Sequence, residues 1–197
     1  MKKAIALAVF MATALSAWAQ PAQSKVSLQL GGGSNMPTGD LRHGWGVGLG
    51  VGATINFNLA GGFTLFGDIR HSSFPIDARD WGLPDDASID GGTLAITSFF
   101  AGAKYVFDLS GALSLYGLAG GGMGIISASD LTATFDHSSE HISFESSTKP
   151  GFAFGGGLVF HINPKVGVFG EIRLVTIFTE GSSTTFAPVF LGVIVRI

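Results

Sequence analysis

The chain has 197 residues, with 11 Lys and Arg against 14 Asp and Glu, no cysteine, 30 glycines and 17 phenylalanines. An acidic balance excludes the basic footprint of nucleic-acid binding, and the lack of cysteine excludes a disulfide framework. Glycine at about twice its usual share of roughly 7% would suit low-complexity disorder, but 46% hydrophobic residues and a mean hydropathy of +0.44 do not.

The first element is MKKAIALAVFMATALSAWAQ, with Lys2 and Lys3, an apolar run from Ala4 to Leu15, and Ala17-Trp18-Ala19 as an A-x-A site. This order predicts a cleaved bacterial signal peptide over residues 1–19 and one mature domain over 20–197. The apolar run is shorter than the roughly 20 residues a spanning helix needs. Losing Lys2 and Lys3 leaves 9 basic against 14 acidic residues, a mature net charge of −5.

In GWGVGLGVGATINFN, residues 44–58, the odd positions are Trp45, Val47, Leu49, Val51, Ala53, Ile55 and Phe57, and the even ones are glycine, Thr54 and Asn56 up to the turn. Period-two alternation of this length marks a strand, longer than the roughly 5–6 residues common in soluble sheets. The pattern recurs, predicting strands at 24–33, 44–57, 63–75, 91–107, 112–127, 151–162, 165–177 and 185–197. Turns at 58–62, 108–111 and Asn163-Pro164 alternate with long connections at 34–43, 76–90, 128–150 and 178–184. That layout predicts an all-β fold: an eight-stranded antiparallel up-and-down transmembrane β-barrel, turns toward the periplasm and loops outside.

One segment, ALSLYGLAGGGMGIISA at 112–128, also fits a transmembrane helix with G-x-x-x-G faces at Gly117/Gly121 and Gly120/Gly124. Its glycines disfavour a helix by about 1 kcal/mol each in water, and it lies between a turn and a loop. Read as a phosphate-cradling loop, it lacks the Lys-Ser/Thr pair.

The ionisable residues inside the predicted strands are Asp68, Arg70, Lys104, Glu171, Arg173 and Arg196. Asp68 and Arg70 share a face with Thr64, and Glu171 and Arg173 with Gly167 and Phe169. Turned to lipid at the midplane, each base would cost about 2–4 kcal/mol and each acid somewhat less, so these residues are expected in the lumen. The third and seventh strands lie opposite each other in an eight-strand barrel, which lets their four charges meet across the axis as a structural plug. A selectivity site or proton path is the sharper alternative. Aromatic girdles are expected at both interfaces: Phe57, Phe63, Tyr105, Phe107 and Phe160 toward the turns, and Trp45, Phe99, Phe152, Phe154 and Phe186 toward the loops.

GFAFGGGLVFHINPKVGVFGEIRLV, residues 151–175, joins a glycine-rich strand, a tight turn and a strand carrying Glu171 and Arg173. With these features the chain resembles the small eight-stranded outer-membrane barrels of the OmpA transmembrane-domain and OmpX type. The resemblance implies a bacterial outer-membrane location, Glu171 and Arg173 inside, and insertion by the barrel-assembly machinery. It also implies a monomer surrounded by outer-membrane lipid and lipopolysaccharide. Val189, Leu191, Val193 and Val195 alternate as in the family's assembly signal, with Ile197 where the family usually has Phe.

His137-Ser138-Ser139-Glu140-His141 matches the H-x-x-E-H spacing of zinc proteases. That chemistry needs a helix, and these Ser/Thr-rich surroundings favour an extended hairpin tip. There the two histidines stand about 13 Å apart, too far to share one zinc. A lipid A-modifying barrel would need a Ser–His–acid set, for which His71 with Ser72 and Ser73, or His137 with Ser139 and Glu145, are available. The deacylases' His-x-Ser-Asn is missing, since Phe74 follows Ser73. The expectation is a non-enzymatic protein without metal or cofactor, structural or surface-interacting. An OmpW-like channel for small hydrophobic solutes and a lipid A-modifying enzyme are the alternatives. The acidic connections (Asp77, Asp80, Asp85, Asp86, Asp90, Asp130, Asp136, Glu140, Glu145) are open to divalent cations bridging lipopolysaccharide, or to a host or phage ligand.

Overall fold

The computed structural model describes residues 25–77, 88–129, 131–135, 138–142, 146–179 and 182–197. The expected signal peptide, His137, Glu145 and part of the acidic connections lie outside these residues. The strands are β1 (Val26–Thr38), β2 (Gly48–Asn58), β3 (Phe63–Pro75), β4 (Ser88–Gly91), β5 (Thr93–Ser110) and β6 (Leu113–Ala128). They continue with β7 (Leu131–Phe135), β8 (Ser138–Ile142), β9 (Ser147–His161), β10 (Val166–Thr179) and β11 (Ser182–Arg196). Eight of them close into a barrel in the order β1-β11-β10-β9-β6-β5-β3-β2, each pair antiparallel. The closing seam, β1 against β11, runs from Ser27↔Arg196 to Thr38↔Thr185.

The segment that also fits a helix is β6, a strand paired on both edges. Alternation decides it: Leu115, Met123 and Ile125 face out while Tyr116 and Leu118 are buried. No helix among the described residues is long and apolar enough to cross a membrane. β4, β7 and β8 form a separate three-stranded sheet within the long connections. The Glu140-His141 end of the H-x-x-E-H stretch lies in β8, where Glu140 pairs with Ala133 and His141 with Thr132. That backbone is extended, so the helix the zinc motif requires is not formed.

Several strands run further than their sequence predicts. β1 continues to Thr38, β5 to Ser110 and β10 to Thr179, while β9 begins at Ser147 and β11 at Ser182; the stretches added to β1 and β9 are polar, contain proline and read as loop. Pro188 lies inside β11 opposite Asn35, where the β10 ladder skips from Val189 to Phe186, but two other strand prolines sit where one neighbour has already ended. Pro37 pairs only with β11, because β2 stops at Gly48 opposite Asn35, and Pro150 pairs only with β6, because the β10 ladder ends at Gly151. A missing N–H costs nothing on such an edge.

Outward positions carry the large apolar side chains, such as Leu49, Val51, Ile69, Ile172 and Leu191. Inward positions stack in three levels. Near the loops lies an apolar cap with Phe74, Ile96, Ile177 and Phe186; then come the charges; near the turns are Ser27, Asn56, Thr64 and Ser114. Glycines make room on the inner face. A Cβ on Gly52 would lie 2.8 Å from Arg70 Cγ, and one on Gly155 3.0 Å from Arg173 Cγ. On the outer face, the nearest atom to a Cβ on Gly117 is 4.0 Å away. Gly155→Val is therefore expected to cost about 1–3 kcal/mol by overpacking. Gly117→Val should stay within about 0.5 kcal/mol, both read from urea midpoints of the refolded barrel.

Candidate functional site

In the closed order, β3 and β10 are four places apart among eight strands, on opposite walls. Period-two alternation turns Asp68 and Arg70 inward from one and Glu171 and Arg173 from the other, where all four are buried. They meet across the axis. Arg70 Nη2 donates to Glu171 Oε1 at 2.6 Å, Arg173 Nε donates to the same oxygen at 2.6 Å, and Arg173 Nη1 donates to Asp68 Oδ2. Arg70 Nε lies 3.5 Å from that Asp68 oxygen. Charge-assisted bonds of this kind are about twice as strong as neutral ones, and two of these tie residues more than a hundred positions apart.

Lys104, on β5, joins at the edge. Its ammonium donates to Gln29 Oε1 at 2.6 Å and lies 4.0 Å from Glu171 Oε2, which accepts from Tyr116 Oη at 2.8 Å. Aromatic faces complete the shell: Arg70 stands 4.7 Å from the Phe190 ring centre, Arg173 5.4 Å and Lys104 5.3 Å from that of Phe66. Rings hold these cations from one side while carboxylates accept their N–H groups. Three cations against two carboxylates leave one positive charge over.

The sixth predicted member, Arg196, stands apart. Its Nη2 lies 3.1 Å from His161 Nε2 and its Nη1 donates to the Pro164 carbonyl at 3.4 Å, at the turn end. Its place in the chain explains this: as the last residue of β11, paired with Ser27 near the start of β1, it sits too low to reach Glu171. Tyr116 and Gln29 belong to the network, but scanning a sequence for charge does not find them. The buried parity of β1 and β6 does, since Ser27 and Ser114 share their faces.

Of the expected girdles, Phe57, Phe63, Phe107 and Phe160 are exposed on the turn side, and Tyr105 packs edge-on to Phe63 and Phe107 at 4.9 and 4.5 Å. On the loop side Phe152 and Phe154 are outward and stacked, and Phe178, outside the expected set, lies against Phe152 at 5.7 Å. Phe99 is outward but pairs with Ile69, next to Arg70, and so lies near mid-wall. Trp45 is half-buried against the interior cluster. Phe186 is the correction: it points inward and packs edge-on to Phe74 at 5.3 Å in the apolar cap.

His71 is exposed, with Nδ1 3.0 Å from Thr97 Oγ1, whereas Ser72 is buried on the inner face. Alternation thus separates that histidine from Ser72 and leaves Ser73 on its own face, two residues along. A different Ser–His contact lies at the turn end, where Ser114 Oγ donates to Asp108 Oδ1 at 2.6 Å and is 2.9 Å from His161 Nε2. The serine proton is held by the carboxylate there, and Ser114 is buried.

A closed antiparallel barrel with an apolar outer wall and its charges turned inward defines the class: a β-barrel that crosses an outer membrane with strands. The chain belongs to the outer membrane protein beta-barrel domain family, whose profile matches residues 5–193. Comparison with curated proteins finds no match. Among solved structures, Ail, the attachment invasion locus protein of Yersinia pestis, is similar at 20% identity, covering 89% of this chain and 100% of that one with a TM-score of 0.57. Neisserial surface protein A is similar at 15% identity, covering 90% and 100%, with a TM-score of 0.59. A major outer membrane protein of Thermus thermophilus is similar at 14% identity, covering 87% and 99%, with a TM-score of 0.55. Ail has also been solved with the heparin analogue sucrose octasulfate, and that structure has 18% identity and a TM-score of 0.54.

Proposed function

We propose that this protein is a non-enzymatic outer-membrane anchor whose lumen is closed and whose long connections make a surface contact. The observation that carries the reading is the ionic band of Asp68, Arg70, Glu171 and Arg173, joined wall to wall beneath an apolar cap. A lumen crossed by such a band leaves little room for a solute, which supports a closed barrel over the OmpW-like channel. Export by a cleaved signal peptide, insertion by the assembly machinery and a monomeric state complete the proposal.

The contact made outside follows from charge. The connections are rich in Asp and Glu, so they suit lipopolysaccharide bridged by divalent cations, or a basic patch on a host or phage ligand. They do not suit a sulfated polyanion of the kind seen with Ail. Planar-bilayer recordings in concentrated KCl test the closed lumen. The refolded protein is expected to give no stepwise openings, and regular openings of fixed size would overturn the reading.

A further inference from the structure

Below the ionic band the lumen opens into a cavity of about 550 Å³, bordered at its mouth by Lys25 and the turn at 59–62. Its size falls in the range of about 300–1,000 Å³ typical of small-molecule sites. The wall is divided by chemistry. Val106, Val159 and Ile194 form an apolar side, while Lys104 at the floor and Arg196 near the mouth supply cations. Three cations, counting Lys25, face it against one carboxylate, Asp108, which accepts from Ser114.

Both well-placed cations are satisfied by neutral acceptors. Lys104 donates to the amide oxygen of Gln29, with Glu171 at 4.0 Å, and the guanidinium of Arg196 meets the His161 imidazole and the Pro164 carbonyl. A cation inside a protein gains most from a close charged partner, and Lys104 meets its carboxylate only at 4.0 Å, so its shortest contact is to a neutral amide.

We propose that this turn-side vestibule is a binding site for a small organic carboxylate. Its charged head would lie between Lys104 and Arg196, and its apolar body against Val106, Val159 and Ile194. Facing the turn end, the site would take its ligand from the periplasm and hold it. The inference does not depend on the lumen being closed, because the vestibule lies below the ionic band.

The test is calorimetric titration of sodium octanoate into the refolded full mature barrel in phosphatidylcholine nanodiscs, with empty nanodiscs subtracted. Octanamide, of the same shape but uncharged, is titrated in parallel. One saturable octanoate site per chain is expected, with Arg196→Gln and Lys104→Gln each weakening it by about ten-fold and octanamide binding far more weakly. Three results would each overturn the proposal: no saturable heat above empty nanodiscs, equal binding of octanamide, or unchanged octanoate affinity in Arg196→Gln. Arg196 is outside the ionic band, so its variant decides the matter even if Lys104→Gln refolds poorly. Bilayer conductance tests the closed lumen separately.

Discussion

Glu171→Gln is expected to lower the stability of the refolded barrel by about 3–5 kcal/mol, the cost of removing one partner from a buried ion pair. The magnitude follows from how much converges on this carboxylate. Arg70 and Arg173 both donate to Oε1 at 2.6 Å, and Tyr116 donates to Oε2 at 2.8 Å. Without its charge, three buried cations would share the single carboxylate of Asp68. Lys104→Met should behave differently. It removes the surplus cation and leaves two arginines facing two carboxylates, with an apolar side chain against Phe66 and Tyr116, where the ammonium had lain 5.3 and 5.0 Å from the ring centres. Replacing a loosely paired buried charge by a well-packed apolar group is often neutral, so a loss under about 1 kcal/mol is expected. Urea unfolding of both variants in the same lipid checks the pair. A wild-type midpoint for Glu171→Gln would mean that packing alone, and not the ionic band, holds the barrel together.

Parity makes most of this molecule legible in its sequence. Alternation in residues 44–58 assigns the outward and inward faces of β2 directly, and the cost of a charge in lipid puts Asp68, Arg70, Glu171 and Arg173 inside. The errors arise where height along the barrel is given more weight than parity. Phe186 groups with the loop-side aromatics by position, yet it is even-numbered in a strand whose outward residues, Val189 to Val195, are odd. Alternation alone turns it inward, onto Phe74. Arg196 shows the opposite failure: its parity is inward, but it sits too near the end of β11 to reach Glu171, and only the register with Ser27 reveals that. Strand ends escape for another reason. Pro37 and Pro150 are loop signals in isolation, and what makes them tolerable is that a neighbouring strand has already stopped, a fact of pairing that no local window contains.

Ile172→Arg tests the outer wall as directly as Glu171→Gln tests the inner one. Ile172 lies between Glu171 and Arg173 in sequence but on the other face of β10, 56% exposed, at the level of the ionic band. A guanidinium there meets hydrocarbon instead of carboxylates, at an expected cost of about 2–4 kcal/mol. The same chemical group one residue further along is buried and paired, so the difference reports the face and not the residue type. Ile197→Arg supplies the depth control. Ile197 follows the last strand residue at the turn end and is 78% exposed, where an arginine can reach headgroups and water, and about 0–1 kcal/mol is expected. Both variants are to be refolded into vesicles and unfolded in urea. A graded loss, large at 172 and small at 197, is what a lipid-embedded wall requires. Equal losses would mean that the exposed apolar face is not graded by membrane depth, and the inside and outside of the barrel would need to be assigned afresh.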